Sequence, residues 1–158
     1  MARTLGSYAK LTKPKISEIA LHLFAERGYA AVSMRQIASK VGLQVGALYN
    51  YFPDKQTILS ELLISHMENL LQSWHRQNLP EKPDKLLEFF VDFHIEHHLN
   101  RPEEVFIAYM ELRNLNPDNF FYFVNNHFNT KVITVVLLFL YLHNVRFISF
   151  NDLKNQLK

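Results

Sequence analysis

The chain has 158 residues, of which 48% are hydrophobic and 20% charged, so it can bury a sizeable core and is not a disordered tail. It contains no cysteine, which excludes disulfide frameworks and thiolate metal sites. The net charge of +2 hides an asymmetry, because residues 1–55 hold eight basic and three acidic side chains and the remainder holds nine basic and twelve acidic ones. A polyanion-binding surface is therefore expected in the basic N-terminal third.

Neither end of the chain has a clear membrane or export signal. The first residues, MARTLGSYAKLTKPK, lack the long apolar stretch and cleavage site of a secretory signal, so we expect a cytoplasmic protein. The apolar run at 132–142 is shorter than the about 20 residues that span a bilayer, and polar residues follow it directly. We expect this run to form a buried or interface helix and the protein to have no membrane partner.

Apolar residues at helical spacing predict three short helices before Pro53. The first is evident from residue 13 and ends at Gly28. The second follows Ser33, a plausible N-cap, and stops at Gly42. The third spans positions 45–52, where Val45, Leu48, Tyr49 and Phe52 form one stripe.

Four more helices are predicted after this group. Asp54 can cap a long fourth helix that runs to about Trp74, and the segment 78–84, with two prolines, then breaks the pattern. Helices are expected near 86–98 and 102–114, and another begins at Asn116. Strand-like alternation is missing before residue 130. The predicted fold is therefore all-α, with a three-helix DNA-binding domain followed by a helical ligand-binding and dimerisation domain.

The second and third helices, joined by a tight turn at 42–44, have the form of a helix-turn-helix. Leu48 and Phe52 can anchor the third helix, while Gly46, Ala47 and Asn50 project on the opposite side. Small residues there allow close approach to the bases, and the Asn50 amide offers the donor and acceptor that read adenine.

The segment LHLFAERGYAAVSMRQIASKVGLQVGALYNYFPDKQTIL (21–59) resembles the reader domain of the tetracycline-repressor-like (TetR) family. The run GALYNYFPDK (46–55) is its most diagnostic piece. The resemblance is strong over 12–60 and weaker to about 120. It implies a DNA-binding domain at 1–55 and a regulatory domain at 56–158, of which 120–158 is atypical.

The resemblance also implies a function and a set of DNA contacts. A transcriptional regulator, expected to be a ligand-responsive repressor, would bind a palindromic double-stranded operator as a homodimer. Gln44 belongs to the contact set, although serine or threonine is commoner there, and histidine is frequent at position 51. Base edges would be faced by Arg35, Val45, Gly46, Tyr49 and Asn50, and the phosphate backbone by Ser33, Ala47, Tyr51 and Lys55.

In the second half, the resemblance implies an effector pocket and a dimer interface. Residues 86–120 resemble the second domain of members that sense acyl-CoA or other lipidic molecules, so we expect a small apolar effector of that kind. The alternative is that the aromatic residues at helical spacing are ordinary core. The candidate pocket residues are Trp74, Phe90, Phe93, His94, Tyr109 and Met110, with Phe89 and Phe106 nearby in sequence.

Other functions have weaker support in the sequence. His94 and His98 are one helical turn apart, but a zinc site needs further ligands and Glu96 falls on another face, so we expect no metal and no cofactor. The same three residues are the only candidate catalytic group, and a nucleophile elbow or phosphate loop is missing, so we do not expect an enzyme. A helical protein-interaction module remains the alternative.

The C-terminal end departs from the family pattern. From Phe120 onward the resemblance is lost, and we hypothesise a truncated or frame-altered C-terminus, with Asn119 near the last residue that follows the pattern. A non-functional regulator is then a further alternative. If the end is native, the apolar run at 132–142 would serve as the dimerisation surface.

Overall fold

The computed structural model describes residues 5–127, and within this range it contains α-helices, one 3₁₀ turn and no strand. The predicted all-α class is confirmed for this part of the chain. The apolar run at 132–142 and the hypothesised altered end lie outside the described residues. No helix in the range is both long and apolar enough to cross a membrane. The helices are α1 (Leu5–Arg27), α2 (Met34–Val41), α3 (Val45–Leu48), α4 (Lys55–His75), α5 (Pro83–Leu99), α6 (Pro102–Met110) and α7 (Pro117–His127).

The predicted ends of the first two helices are confirmed by their cap geometry. Gly28 and Gly42 have φ angles of 79° and 84°, the left-handed conformation that ends a helix and that side chains with a Cβ rarely adopt. Ser33 caps α2 in a capping box, because its hydroxyl accepts the Gln36 N–H while the Gln36 side chain accepts the Ser33 N–H. These local signals fix where the chain turns.

Near the N-terminus, the first helix extends beyond the part that the pattern revealed, and the predicted end of the third helix is wrong. The first helix begins at Leu5, ahead of residue 13, and it contains Pro14, which removes one backbone hydrogen bond. The third helix ends at Leu48 and does not extend to 52. Gln44 makes no side-chain cap bond there, and residues 49–51 tighten into a turn in which the Tyr51 N–H donates to the Leu48 carbonyl at 3.0 Å.

The later helices begin close to where the sequence predicted. The Asp54 carboxylate accepts the Thr57 N–H at 2.7 Å and so caps α4, as expected. Asn116 accepts the Asn119 N–H at 2.8 Å at the start of α7. The predicted helix over 102–114 stops at Met110 and continues as a 3₁₀ turn at Leu112–Asn114.

One hydrophobic core joins the N-terminal helices to α6 and α7. Ile107 of α6 is fully buried, and Leu115 and Phe123 are nearly so, in the same cluster as the first four helices. The predicted DNA-binding domain therefore packs directly on the later helices. The largest fully buried side chains of the cluster are Phe24, Phe52, Ile16, Ile37, Leu48, Ile58, Leu59, Leu63, Ile107 and Val32.

Candidate nucleic-acid interface

One side of the short helix α3 and its following turn packs into the core, and the other side is exposed to solvent. Leu48 and Phe52 are fully buried, as predicted, even though Phe52 lies beyond the helix end. Gly46 and Asn50 are exposed, and the Tyr49 side chain is 50% exposed. The outer side of α3 is thus free to meet a flat partner such as the edges of stacked bases.

Val45, Ala47 and Tyr51 are only half-buried, so the structure places them between the core and solvent. Val45 and Tyr51 both pack against the hydrophobic core. Their remaining exposed surface is what a duplex could contact. Gln44 is exposed at the start of α3.

Helix α2 adds a polar face beside α3. Arg35 and Lys40 are exposed there, while Ile37 and Ala38 on the other face are buried. Ser33 is exposed, but its hydroxyl also donates to the Gln36 carboxamide oxygen at 2.9 Å, so it is already engaged in the cap. Arg35, next to it, is the exposed guanidinium of this face.

The side chain of Lys55 is engaged in hydrogen bonds to the protein backbone. Its ammonium group donates to the carbonyl oxygens of Tyr29 and Val32, each at 2.7 Å, and lies 4.0 Å from the centre of the Tyr29 ring. Burial lowers the pKa of Lys55, and the Glu111 carboxylate opposes that shift. A phosphate contact by this side chain stays a prediction, and it would have to compete with these carbonyl groups.

Tyr29 is the centre of a contact set that the sequence did not predict. Its N–H donates to Glu111 Oε1 at 3.1 Å, and its hydroxyl accepts from Gln56 Nε2 at 2.8 Å. Burial raises the pKa of the Tyr29 hydroxyl, and the hydrogen bond from Gln56 opposes this. No spacing rule connects positions 29, 56 and 111, so no sequence signal could have found them.

Four of the residues predicted to line an effector pocket form aromatic ring contacts with one another. The Trp74 ring lies 5.2 Å from the Phe90 ring and 5.1 Å from the Phe93 ring, centre to centre, and Phe90 stacks on His94 at 5.6 Å. Tyr109 lies against His98 instead, at 6.2 Å. A groove of about 410 Å³ beside this aromatic group contains Phe93 of the predicted pocket residues, but not Trp74, Phe90, His94, Tyr109 or Met110. Its lining is mostly polar: Ser73, Gln77, Asp92, Glu96, His97, Asn100 and Arg101, with Phe89 and Phe93. Met110 is only half-buried.

Four histidines cluster between α4 and α5. His94 and His98 rings are 3.9 Å apart, and His66, which the sequence did not single out, lies 5.8 Å from His98 and 6.4 Å from His97. His66 Nδ1 is 3.2 Å from a Glu104 carboxylate oxygen. Glu96 is exposed while His94 is buried, so the two do face apart, as predicted.

Three histidines of this cluster, the buried His94 and His97 and the half-buried His98, are disfavoured in the charged form. Burial lowers the pKa of His94, that of His97 to about 4 and that of His98 to about 3, with neighbouring positive groups adding to the shifts. His94 Nδ1 and His97 Nε2 are buried without a hydrogen-bond partner. Among the described residues, no three histidine or acidic side chains are arranged to hold a metal ion.

Helices α2 and α3, with their exposed outer surface and buried anchors, define a helix-turn-helix domain. Residues 16–62 match the family model described as bacterial regulatory proteins, tetR family. The resemblance inferred from residues 21–59 is therefore confirmed over residues 16–62, where the chain is similar to TetR-family regulators.

Similar proteins agree with this assignment over part of their length. A helix-turn-helix-type transcriptional regulator of Staphylococcus aureus strain MRSA252 is 30% identical over 96 residues, which cover 56% of this chain and 51% of that protein. A regulator of the same description from strain USA300 is 31% identical over 93 residues, covering 53% and 50%. The chain thus spans about half the length of the curated relatives it matches.

Solved structures share the fold. A bacterial regulatory protein of the tetR family from Rhodococcus RHA1 has a TM-score of 0.65 at 23% identity, over 72% of this chain and 60% of that one. The fatty acid degradation regulator FadR from Bacillus halodurans also has a TM-score of 0.65, at 19% identity, over 93% of this chain and 74% of that one. At these identities the likeness supports the helical fold alone.

Proposed function

We propose that the chain is a transcriptional regulator that binds an operator by placing α3 in the major groove of duplex DNA. The observation that carries this proposal is the division of α3 and its following turn, in which Leu48 and Phe52 are wholly buried while Gly46, Tyr49 and Asn50 face solvent. Base edges in the major groove present donors and acceptors that an exposed asparagine amide can pair with. The basic residues of α2 supply attraction to phosphates.

In this proposal the contact residues divide into two groups. Arg35, Val45, Gly46, Tyr49 and Asn50 face base edges, and Gln44 lies at their border. Ser33, Ala47, Tyr51 and Lys55 lie toward the phosphate backbone. Only the first group should set sequence preference, because phosphate contacts are the same for every duplex.

The proposal is tested by selecting bound duplexes from a random pool with the full chain. Asn50→Ala should weaken binding to the selected sequence by roughly 1–3 kcal/mol and relax the preference at particular base pairs. Lys55→Ala should weaken binding about equally for all sequences, because it removes the proposed phosphate contact and also the donor to the Tyr29 and Val32 carbonyls, neither of which reads a base. The matched control is Asn78→Ala, since Asn78 is an exposed asparagine in the loop before α5, and it should leave both affinity and preference unchanged.

Two outcomes would contradict this reading. One is the failure of all duplexes to associate in dilute salt. The other is binding that ignores salt, because neutralised phosphates release counterions and make affinity fall as salt rises. Salt-independent binding would favour the protein-interaction alternative.

We further propose that the chain acts as a homodimer on a palindromic site and that a small apolar molecule releases it. Two half-sites one helical turn apart require two reading heads at a fixed spacing. The name of the Bacillus halodurans neighbour suggests a fatty-acid-related effector, and the contacts of Trp74 with Phe90 and Phe93 offer an apolar surface for an acyl chain.

Size-exclusion chromatography with light scattering tests the dimer, and a monomer in the presence of the selected duplex would contradict it. A long-chain acyl-CoA tests the effector, with free coenzyme A as the control. Release of DNA by the acyl-CoA but not by coenzyme A is expected. Equal effects of the two, or none, would remove this effector class.

A further inference from the structure

The turn between α1 and α2 is held at one residue, Tyr29, from several directions. Glu111 accepts its N–H, and Lys55 donates to its carbonyl oxygen, so opposite charges bind the two ends of this residue's backbone. Gln56 donates to its hydroxyl group, and the Lys55 ammonium lies over its ring. Tyr29 itself is 8% exposed, so these contacts are largely shielded from water.

The other end of this contact set belongs to the segment after α6. The Asn114 side-chain amide donates to Glu111 Oε2 at 2.5 Å. Gln56 Nε2 also donates to the Asn114 carbonyl at 2.7 Å, and Gln56 Oε1 accepts the Asn116 N–H at 2.9 Å. Gln56 therefore ties Tyr29 to residues 111–116. We refer to Tyr29, Lys55, Gln56, Glu111 and Asn114 together as the Tyr29 clasp.

Glu111 is an unexpected residue to find in the packed core. It is 6% exposed, and burying a carboxylate is costly unless hydrogen bonds and an opposite charge compensate. Its two oxygens each accept one hydrogen bond, and its charge interacts favourably with the Lys55 ammonium. Apolar packing alone has little directionality, whereas this carboxylate holds one particular backbone N–H.

The position of Tyr29 explains why its hydrogen bond to Glu111 matters for the orientation of α2 and α3. Tyr29 lies between the end of α1 and the cap of α2, so the direction of α2 and of the following α3 depends on how this turn is held. Glu111 directly follows α6, which packs on α1 and contributes Ile107 to the shared core. A shift at the end of α6 would therefore move the acceptor that holds the turn.

We propose that Glu111 is a positioning residue, which fixes the angle of α2 and α3 relative to α4 and α6 by holding the Tyr29 N–H. The segment 111–116 is then the place where a change in the later helices reaches the reading surface. The effect on DNA binding rests on the function proposed above. The orientation itself does not, and it can be measured without DNA.

The absence of cysteine makes that measurement direct. Spin labels on Lys40→Cys in α2 and Glu88→Cys in α5, both exposed positions, report the distance between the reading head and the later helices. Labelled full-length chain is diluted with unlabelled chain so that only distances within one chain contribute. We expect a narrow distribution for the parent protein and a broadened or shifted one for Glu111→Ala.

The conservative variant separates positioning from simple loss of packing. Glu111→Gln keeps an oxygen that can accept the Tyr29 N–H, so it should restore the narrow distribution. Glu81→Gln, at an exposed carboxylate in the loop before α5, is the matched control and should have no effect. Circular dichroism checks that each variant is folded. If Glu111→Ala does not fold, Glu111→Asp, whose shorter side chain withdraws the carboxylate from the Tyr29 N–H while keeping the charge, carries the same test.

DNA binding supplies the second readout. Glu111→Ala should weaken binding to a two-half-site operator about tenfold while leaving binding to a single half-site nearly unchanged, because only the paired site needs a fixed angle. A folded Glu111→Ala with an unchanged distance distribution would overturn the positioning role. Failure of the parent chain to bind any duplex, together with a broadened distribution in the variant, would instead refute the proposed function and leave the positioning role intact.

Discussion

Lowering the pH from 7 to 5 should destabilise the protein through His97, which is buried, and His98, which is half-buried, both in α5. Burial lowers the pKa of His97 to about 4, helped by the charge of Arg101, and that of His98 to about 3, helped by His94. An unfolded chain returns both groups to an ordinary pKa near 6.5. The unfolded state therefore binds more protons than the folded state in this window, and stability falls as the pH falls.

The size of the effect follows from the unfolded pKa. At pH 5 a histidine held neutral in the fold and titrating near 6.5 when unfolded costs about 2 kcal/mol. Two such residues cost about 4 kcal/mol, against a total stability of roughly 5–15 kcal/mol for a typical domain. This cost is absent above about pH 6.5 and grows as the pH falls toward the folded-state pKa values. The lowered pKa of His94 acts in the same direction.

The Glu104 carboxylate, which contacts His66 of the cluster, affects stability in a lower pH range. The hydrogen bond to His66 lowers the pKa of Glu104 from its ordinary value of 4.5, so the stability that Glu104 contributes is present above that pH and is lost as the pH falls below it. Between pH 7 and 5 the histidines therefore dominate. A test between pH 7 and 5 therefore measures mainly the effect of the histidines.

Urea unfolding followed by circular dichroism at pH 7, 6 and 5 measures the effect. His98→Gln cannot take up a proton, so its loss of stability between pH 7 and 5 should be smaller than that of the parent by about 2 kcal/mol. His75→Gln, at an exposed histidine in the last turn of α4, should leave the pH dependence unchanged. A parent stability that is constant from pH 7 to 5, or an equal loss in both variants, would refute the reasoning.

Three further predictions concern the helix-turn-helix and the start of α4. Leu48→Ala should lower the free energy of unfolding by about 3 kcal/mol because Leu48 is fully buried, whereas Leu79→Ala, 49% exposed, should change it by less than about 0.5 kcal/mol. Gly42→Ala should cost about 1–2 kcal/mol, since the site is open but its φ of 84° strains any residue with a Cβ. Asp54→Ala should cost about 1 kcal/mol by removing the α4 cap. Urea unfolding at pH 7 checks each value.

The elements that could be predicted from the sequence are those with a local cause. Ser33, Gly42 and Asp54 act on backbone groups within three or four residues, so their types alone indicate where a helix begins or ends. The burial of Leu48 and Phe52 also follows from helical spacing. The extent of α3 does not, because spacing cannot separate a helix from a tight turn that returns the next apolar residue to the core.

The long-range contacts could not be predicted for a physical reason. A lysine near the start of a helix in a basic segment can equally well extend toward a phosphate or fold back onto a carbonyl, and the choice depends on what lies beside it. In this protein the Tyr29 and Val32 carbonyls lie within 2.7 Å of the Lys55 ammonium. Their position depends in turn on Glu111, which is 82 residues from Tyr29.

The shortness of α3 bears on how the reader and the later helices depend on one another. A helix of four residues makes too few internal hydrogen bonds to be stable alone, so its place is set by packing. That packing is supplied by Leu48 and Phe52 in a core that also contains Ile107 and Leu115 from α6 and the segment after it. The geometry of α3 therefore depends on the later helices, so a rearrangement of α6 that displaces Ile107 would also alter the proposed DNA-contacting surface.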